Sequence, residues 1–126
     1  MTELENTIHV LVAEDNPDLR LIFSKVFQRA PFKVHAVEDG KMVIEYLQKI
    51  IPDVLIMDLN MPRLSGQEVL RHVRRNPKTK NIKVIIVTGN QIAADDDEVT
   101  LADLCLLKPV DVPELLDFAK RLSRLH

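Results

Sequence analysis

Several things are scarce in this sequence, and each scarcity closes off a class of function. Its 126 residues include one cysteine, Cys105, which excludes an internal disulfide and a thiolate metal cage and fits a reducing compartment. No charge of one sign dominates: 17 Lys and Arg face 19 Asp and Glu, a net charge of −2, so the chain has no strong field for nucleic acid or an anionic membrane. Tryptophan is absent, and aromatic residues make up 4% of the chain. No apolar run approaches the roughly 18 residues that span a bilayer, and residues 1–7 lack the basic start and apolar core of an export signal. No repeat, low-complexity tract or linker interrupts the chain. These absences predict a soluble, cytosolic protein that binds neither nucleic acid nor membrane.

What is present is an ordinary globular balance, 46% hydrophobic and 29% charged, enough for one compact domain over 1–126 with 1–7 as a short extension. Four Val-, Ile- and Leu-rich runs, Ile8–Ala13, Val54–Met57, Val84–Val87 and the weaker Leu104–Leu107, are continuous in apolarity, as in strands covered on both faces. A fifth, Phe32–Val37, alternates and reads as an edge strand begun by Pro31. Helical spacing fills the gaps. Leu19, Ile22, Phe23, Val26 and Phe27 predict a helix over Pro17–Arg29 with Asn16 as its cap; Met42, Val43, Tyr46, Leu47 and Ile50 predict a second, ended before Pro52. Val69, Leu70 and Val73 give a third, from near Ser65 to Asn76-Pro77, and Leu115, Leu116, Ala119 and Leu122 give the last, capped by Asp111. Asn90–Thr100, with its acidic run Asp95–Glu98, reads as a short or frayed helix. Alternating strands and helices predict an α/β fold: a parallel sheet with helices on both faces and its reactive groups at the carboxyl ends of the strands.

Those ends carry Glu14-Asp15, Asp58, Thr88 and Lys108-Pro109. Two carboxylates ~4 Å apart repel by about 4 kcal/mol at an effective dielectric of ~20, so three of them require either protonation or a cation. An all-oxygen donor set without nearby His or Cys favours Mg²⁺ over Ca²⁺ or Zn²⁺, and magnesium held by few carboxylates keeps positions open for phosphate oxygens. Lys108 supplies a point charge for another such oxygen. The chemistry so predicted is phosphoryl handling. Taken singly, each residue has a plainer reading: a solvated loop for Glu14-Asp15, a turn for Thr88, a surface lysine for Lys108. The weight lies in their order, each at its own strand end.

The blocks Val10–Asn16, Pro52–Pro62 around Asp58, Ser65-Gly66, Val84–Gly89 and Leu107–Pro109 resemble the receiver domain of two-component response regulators across essentially the whole chain. The resemblance implies a flavodoxin-like doubly wound sandwich, a five-stranded parallel sheet of order 2-1-3-4-5 with about five helices. It implies that Asp58 accepts a phosphoryl group from a histidine kinase or histidine phosphotransfer protein. Asp15, Asp58 and the Asn60 backbone carbonyl would hold Mg²⁺, with Glu14 acting through a water. Lys108 would pair with the phosphoryl group, Thr88 would donate its hydroxyl to it, and a protein effector would read the face made by the fourth and fifth helices and the fifth strand.

The chain also departs from that pattern. Cys105 stands three residues before Lys108, where the family usually carries Tyr or Phe, and a thiol is too small for the rotamer switch expected there. The 20-position interval from Thr88 to Lys108 looks contracted, which shortens the Asn90–Thr100 helix. Gly89 keeps access to the phosphoryl group open, and Asn60 and Asn90 flank the path of attacking water. The leading expectation is therefore a stand-alone phosphoacceptor, not a turnover enzyme. Its alternative is a phosphorylation-independent docking module that keeps the acidic pocket as inherited structure; a metal-dependent phosphohydrolase ranks last because Asn60 stands where that class needs an acid. The basic stretch Arg71–Lys83 reads as a solvated helix end, Met57 and Met61 as packing residues and Cys105 as a buried small residue. His9, His35, His72 and His126 show no ligand spacing.

Overall fold

The computed structural model describes residues 7–89 and 97–125. Five strands, β1 (Ile8–Ala13), β2 (Phe32–Val37), β3 (Val54–Met57), β4 (Lys83–Thr88) and β5 (Leu104–Leu107), form one sheet in the order β2-β1-β3-β4-β5. Every pairing is parallel. Four α-helices are described: α1 (Pro17–Val26), α2 (Gly40–Leu47), α3 (Gly66–Arg75) and α4 (Val112–Ser123). The expected count of about five is thus not met among the described residues. Where a helix over Asn90–Thr100 was expected, the described part is a 3-10 helix, Asp97–Leu101, and residues 90–96 lie outside the described set. The last helix, fifth in the expected count, is α4.

Period-2 alternation explains how one sheet serves two cores. Leu55, Met57, Val84 and Ile86 face one way and pack with Val43 and Leu47 of α2 and Val69, Leu70 and Val73 of α3. Val54, Ile56, Ile85 and Val87 face the other way and pack with Phe23, Phe27 and, from α4, Leu115 and Ala119. All four residues of β3 are buried, as continuous apolarity predicts for a central strand. Burying each such side chain contributes about 1.5–3 kcal/mol. β5 does not fit that expectation: among the described residues it has β4 as its neighbour on one side alone, and it stays half-exposed, with Leu107 46% accessible. Cys105 on this strand is half-buried rather than buried, although it packs against the α2/α3 core.

Helix starts follow the capping residues. Asn16 Oδ1 accepts from the Asp18 and Leu19 amides with Pro17 at the first helical position, and Ser65 and Glu68 form a reciprocal capping box. Asp111 caps α4 through the Glu114 amide. α1 ends at Val26 rather than Arg29, and its buried face is narrower than the spacing implies: Phe23 and Phe27 are buried, but Ile22 is 49% accessible. Its position flanks the sheet-facing stripe, so it is left on the rim. Ile50 lies beyond the end of α2 and is likewise exposed. Met57 and Met61 are packing residues, as expected. None of the described helices is long and apolar enough to cross a membrane.

Candidate functional site

Three site residues lie one position past a strand end, and the sheet continues through their backbones. The Glu14 amide donates to Val37 O, the Asp58 amide to Ala13 O and the Lys108 amide to Thr88 O, at 3.1, 3.1 and 2.8 Å. Each side chain therefore leaves from backbone that is already fixed. The Lys108–Pro109 peptide is cis. Carboxylate oxygens of Glu14, Asp15 and Asp58 lie within 4.8 Å of one another. The Lys108 ammonium bridges two of them, donating to Glu14 Oε1 at 2.8 Å and to Asp58 Oδ2 at 2.7 Å.

The free oxygens are held too. Glu14 Oε2 accepts from the Asn16 amide at 3.1 Å, and Asp58 Oδ1 accepts from the Asn60 amide at 3.0 Å. Glu14 and Asp58 are buried and Asp15 is exposed, so the cluster opens to solvent on the Asp15 side. Burial pushes the Glu14 carboxyl above the usual range, and this outweighs the hydrogen bonds from Lys108 and the Asn16 amide that favour its charged form. Burial acts to lower the Lys108 ammonium, but its bonds to Asp58 and Glu14 together win and raise it. Three carboxylates against one ammonium is a charge deficit that a divalent cation would remove. Oxygen donors, two of them fixed by backbone amides, and one solvent-facing side suit a hard cation that keeps waters or phosphate oxygens. The donor chemistry fits magnesium.

Thr88 ends β4 fully buried and pairs in register with Leu107; Cys105 pairs with Ile86, two residues back along the same face. All five predicted positions, Glu14, Asp15, Asp58, Thr88 and Lys108, thus reach the carboxyl edge of the sheet. Asn60 does as well, through its amide. A Cβ on Gly89 would meet nothing within 4 Å among the described residues, its chain neighbours aside. Asn90 lies outside the described residues.

The supporting roles of two residues were not read from the sequence, although Gly66 stands in one of the blocks that carry the resemblance. Arg20 Nη1 donates to the Glu14 and Asp15 carbonyls at 2.9 and 3.3 Å and ties the acidic pair to α1. An arginine in the first turn of a capped helix was the available signal. Gly66 is the second: a Cβ there would come within 2.7 Å of the Asp58 carbonyl oxygen and the Leu59 Cα, so α3 starts hard against the Asp58 backbone because the residue is glycine.

Comparison with known proteins places this geometry. A probable cyclic di-GMP phosphodiesterase of Vibrio cholerae is 31% identical over 120 residues, 93% of this chain but 25% of that protein. The phosphate regulon transcriptional regulatory protein PhoB of Rhizobium meliloti is 30% identical over 91% of this chain, which spans 52% of it. Among solved structures, the response regulator TrrA of Thermotoga maritima, in complex with Mg(2+)-BeF, superposes with a TM-score of 0.84 at 27% identity, covering 92% of this chain and 99% of that one. The family model of the response regulator receiver domain matches residues 10–120, and with the sheet order and the acidic edge in agreement, the chain belongs to that family, a receiver domain of two-component signalling.

Proposed function

We propose that this chain is a cytosolic phosphoacceptor: Asp58 takes a phosphoryl group from a phosphohistidine on a kinase or phosphotransfer protein and passes the signal on by protein contact. The observation that carries the reading is the Lys108 ammonium set between Glu14 and Asp58 in a cluster that remains short of positive charge. An Asp58 carboxylate oxygen forms the new bond to phosphorus while the phosphorus–nitrogen bond of the donor breaks; the imidazole leaves with that electron pair and takes a proton from solvent. Asp15, Asp58 and the Asn60 carbonyl are the groups to hold magnesium, with Glu14 acting through a water. When bound, the ion supplies charge that offsets the phosphoryl oxygens. Lys108 already reaches Asp58 Oδ2 and moves to a phosphoryl oxygen with little rearrangement, as preorganised electrostatic catalysis requires. Thr88 donates its hydroxyl to another oxygen and, in doing so, biases the face formed by the 3-10 helix, β5 and α4.

A donor reaches the cluster from its solvent-facing Asp15 side, with Lys108 at the edge of the docking surface. That side chain, with Leu19, Ile22, Phe23, Pro109, Val110 and Val112, lines a groove of about 400 Å³ beside the acidic cluster. The half-exposed Ile22 offers an apolar contact there for the donor protein.

Intact mass after incubation with acetyl phosphate, with and without Mg²⁺, tests the reading on wild type and Asp58→Asn. A gain of one phosphoryl group that needs both Mg²⁺ and Asp58 supports it. No gain by folded protein favours the phosphorylation-independent docking module, the reading suited to Cys105 at the position where a rotamer switch would stand.

A further inference from the structure

Among the described residues, Arg63 is the one non-glycine with a positive φ, 69°. The Leu64 amide donates to Pro62 O at 2.7 Å, so Arg63 is the centre of a three-residue turn of the strained, positive-φ kind. Such a conformation persists only where its surroundings hold it. Two residues beyond β2 do so. Asp39 is buried, its Oδ1 accepts from the Met42 amide at 2.8 Å to cap α2, and its Oδ2 faces Arg63 Nη1 at 3.6 Å. At Gly40 a Cβ would overlap the Leu64 carbonyl oxygen and come within 2.9 Å of Val69 Cγ2, so the turn rests directly on the first residue of α2.

This turn is the outer end of the loop that begins at Asp58 and carries Asn60. The inner end is fixed by the Gly66 amide, which donates to Leu59 O at 2.9 Å. We infer that Asp39 and Gly40, whose hydrogen bonds and ion pair given above go to neither Asp58 nor Asn60, are positioning residues for the acidic site: by seating the Arg63–Leu64 turn they fix the Asn60 backbone beside the Asp58 carboxylate. The exposed Arg63 guanidinium contributes weakly to this, as ion pairs at the surface do. The backbone contact at Gly40 carries most of it. The inference rests on the proposed magnesium-dependent phosphoacceptor reading.

The test is a Mg²⁺ titration followed by amide shifts in ¹⁵N-labelled protein, paired with metal-free hydrogen exchange at the Asn60 amide. Gly40→Ala is expected to weaken Mg²⁺ about tenfold, as loss of an outer support typically does, and to speed exchange at Asn60. Arg63→Gly relieves the strained φ, so it should keep the thermal stability of wild type or exceed it while still weakening Mg²⁺ by a smaller factor. This second variant keeps the test in force if Gly40→Ala does not fold. Val73→Ala, in the same core but on the far half of α3, should lower stability and leave Mg²⁺ affinity unchanged. Wild-type affinity and Asn60 protection in both loop variants overturn the inference, as does an equal loss in Val73→Ala. Absence of Asp58-dependent Mg²⁺ binding in wild type overturns the phosphoacceptor reading, and this inference falls with it.

Discussion

Two basic side chains organise opposite ends of the sheet, and they work in different ways. Lys108, past the carboxyl end of β5, places its ammonium on two carboxylates, one oxygen each on Glu14 and Asp58. Arg74, at the end of α3, donates to the Leu101, Lys80 and Ile82 carbonyls and to Asp103 Oδ2, which in turn accepts from the Val84 amide. Its planar fork joins α3, the turn before β4 and the chain entering β5, and its four hydrogen bonds use four of its five N–H donors. A lysine offers a point charge that can change partners; an arginine fork spread over fixed carbonyls cannot. The first arrangement, short of positive charge, suits exchange of a ligand, and the second suits permanence.

The largest expected effect falls at the lysine end. Asp58→Asn should abolish phosphoryl gain completely with far-ultraviolet dichroism unchanged, and residual labelling of that variant would move the acceptor to another residue. Arg74→Ala should do the opposite: a stability loss of about 3 kcal/mol, given that hydrogen bonds to a charged group each contribute about 1.5–3 kcal/mol, with labelling retained below the melting temperature. Lys108→Ala should cost less, about 2 kcal/mol, because the pair is partly open to solvent whereas breaking a fully buried one costs about 3–5 kcal/mol. Chemical denaturation with and without Mg²⁺ separates the two. Added Mg²⁺ should restore the Lys108→Ala variant by replacing the lost positive charge and leave Arg74→Ala where it was; equal responses would erase the distinction between the two ends.

The two ends also differed in how much of them the sequence revealed. Site residues were legible because each sits at the end of an apolar run, and a parallel sheet brings such ends together whatever lies between. Caps at Asn16, Ser65 and Asp111 were legible for a similar reason: their bonds are local. Arg74 was not, since its partners lie 6 to 29 positions away and are mostly backbone carbonyls, which have no signature in sequence. It read as one more residue of a basic stretch. The Arg63 turn was hidden in the same way, because positive φ at an arginine is imposed by Asp39 and Gly40 across the fold. The exposure of Ile22 and of β5 was missed because periodicity assigns a face but not the width of what covers it.

A smaller effect tests whether the lysine end is approached as proposed. Ile22→Ser removes an exposed apolar side chain from the groove beside Lys108, so its stability should stay within about 0.5 kcal/mol of wild type. Labelling by acetyl phosphate should be unchanged, since that donor needs no docking surface. Transfer from a phosphorylated histidine phosphotransfer protein should slow severalfold, an apolar contact being worth about 1–2 kcal/mol at such an interface. Equal rates from the protein donor would place its docking elsewhere on the rim.

The smallest expected effect concerns the path between Thr88 and the surface. Cys105 lies on the face of the sheet that carries Thr88, on the neighbouring strand, and its half-buried thiol packs against the α2/α3 core. A side chain of that size fills little space, so Cys105→Ala should cost no more than about 1 kcal/mol. If the signal travels through backbone movement of β4 and β5, the amide shifts that phosphorylation induces over Leu104–Leu107 should match those of wild type. Loss of those shifts would show that the thiol itself transmits the change. Cys105→Tyr then sharpens the result: an enlarged shift at β5 with the bulkier ring would show that coupling here is limited by side-chain size rather than by the geometry of Thr88.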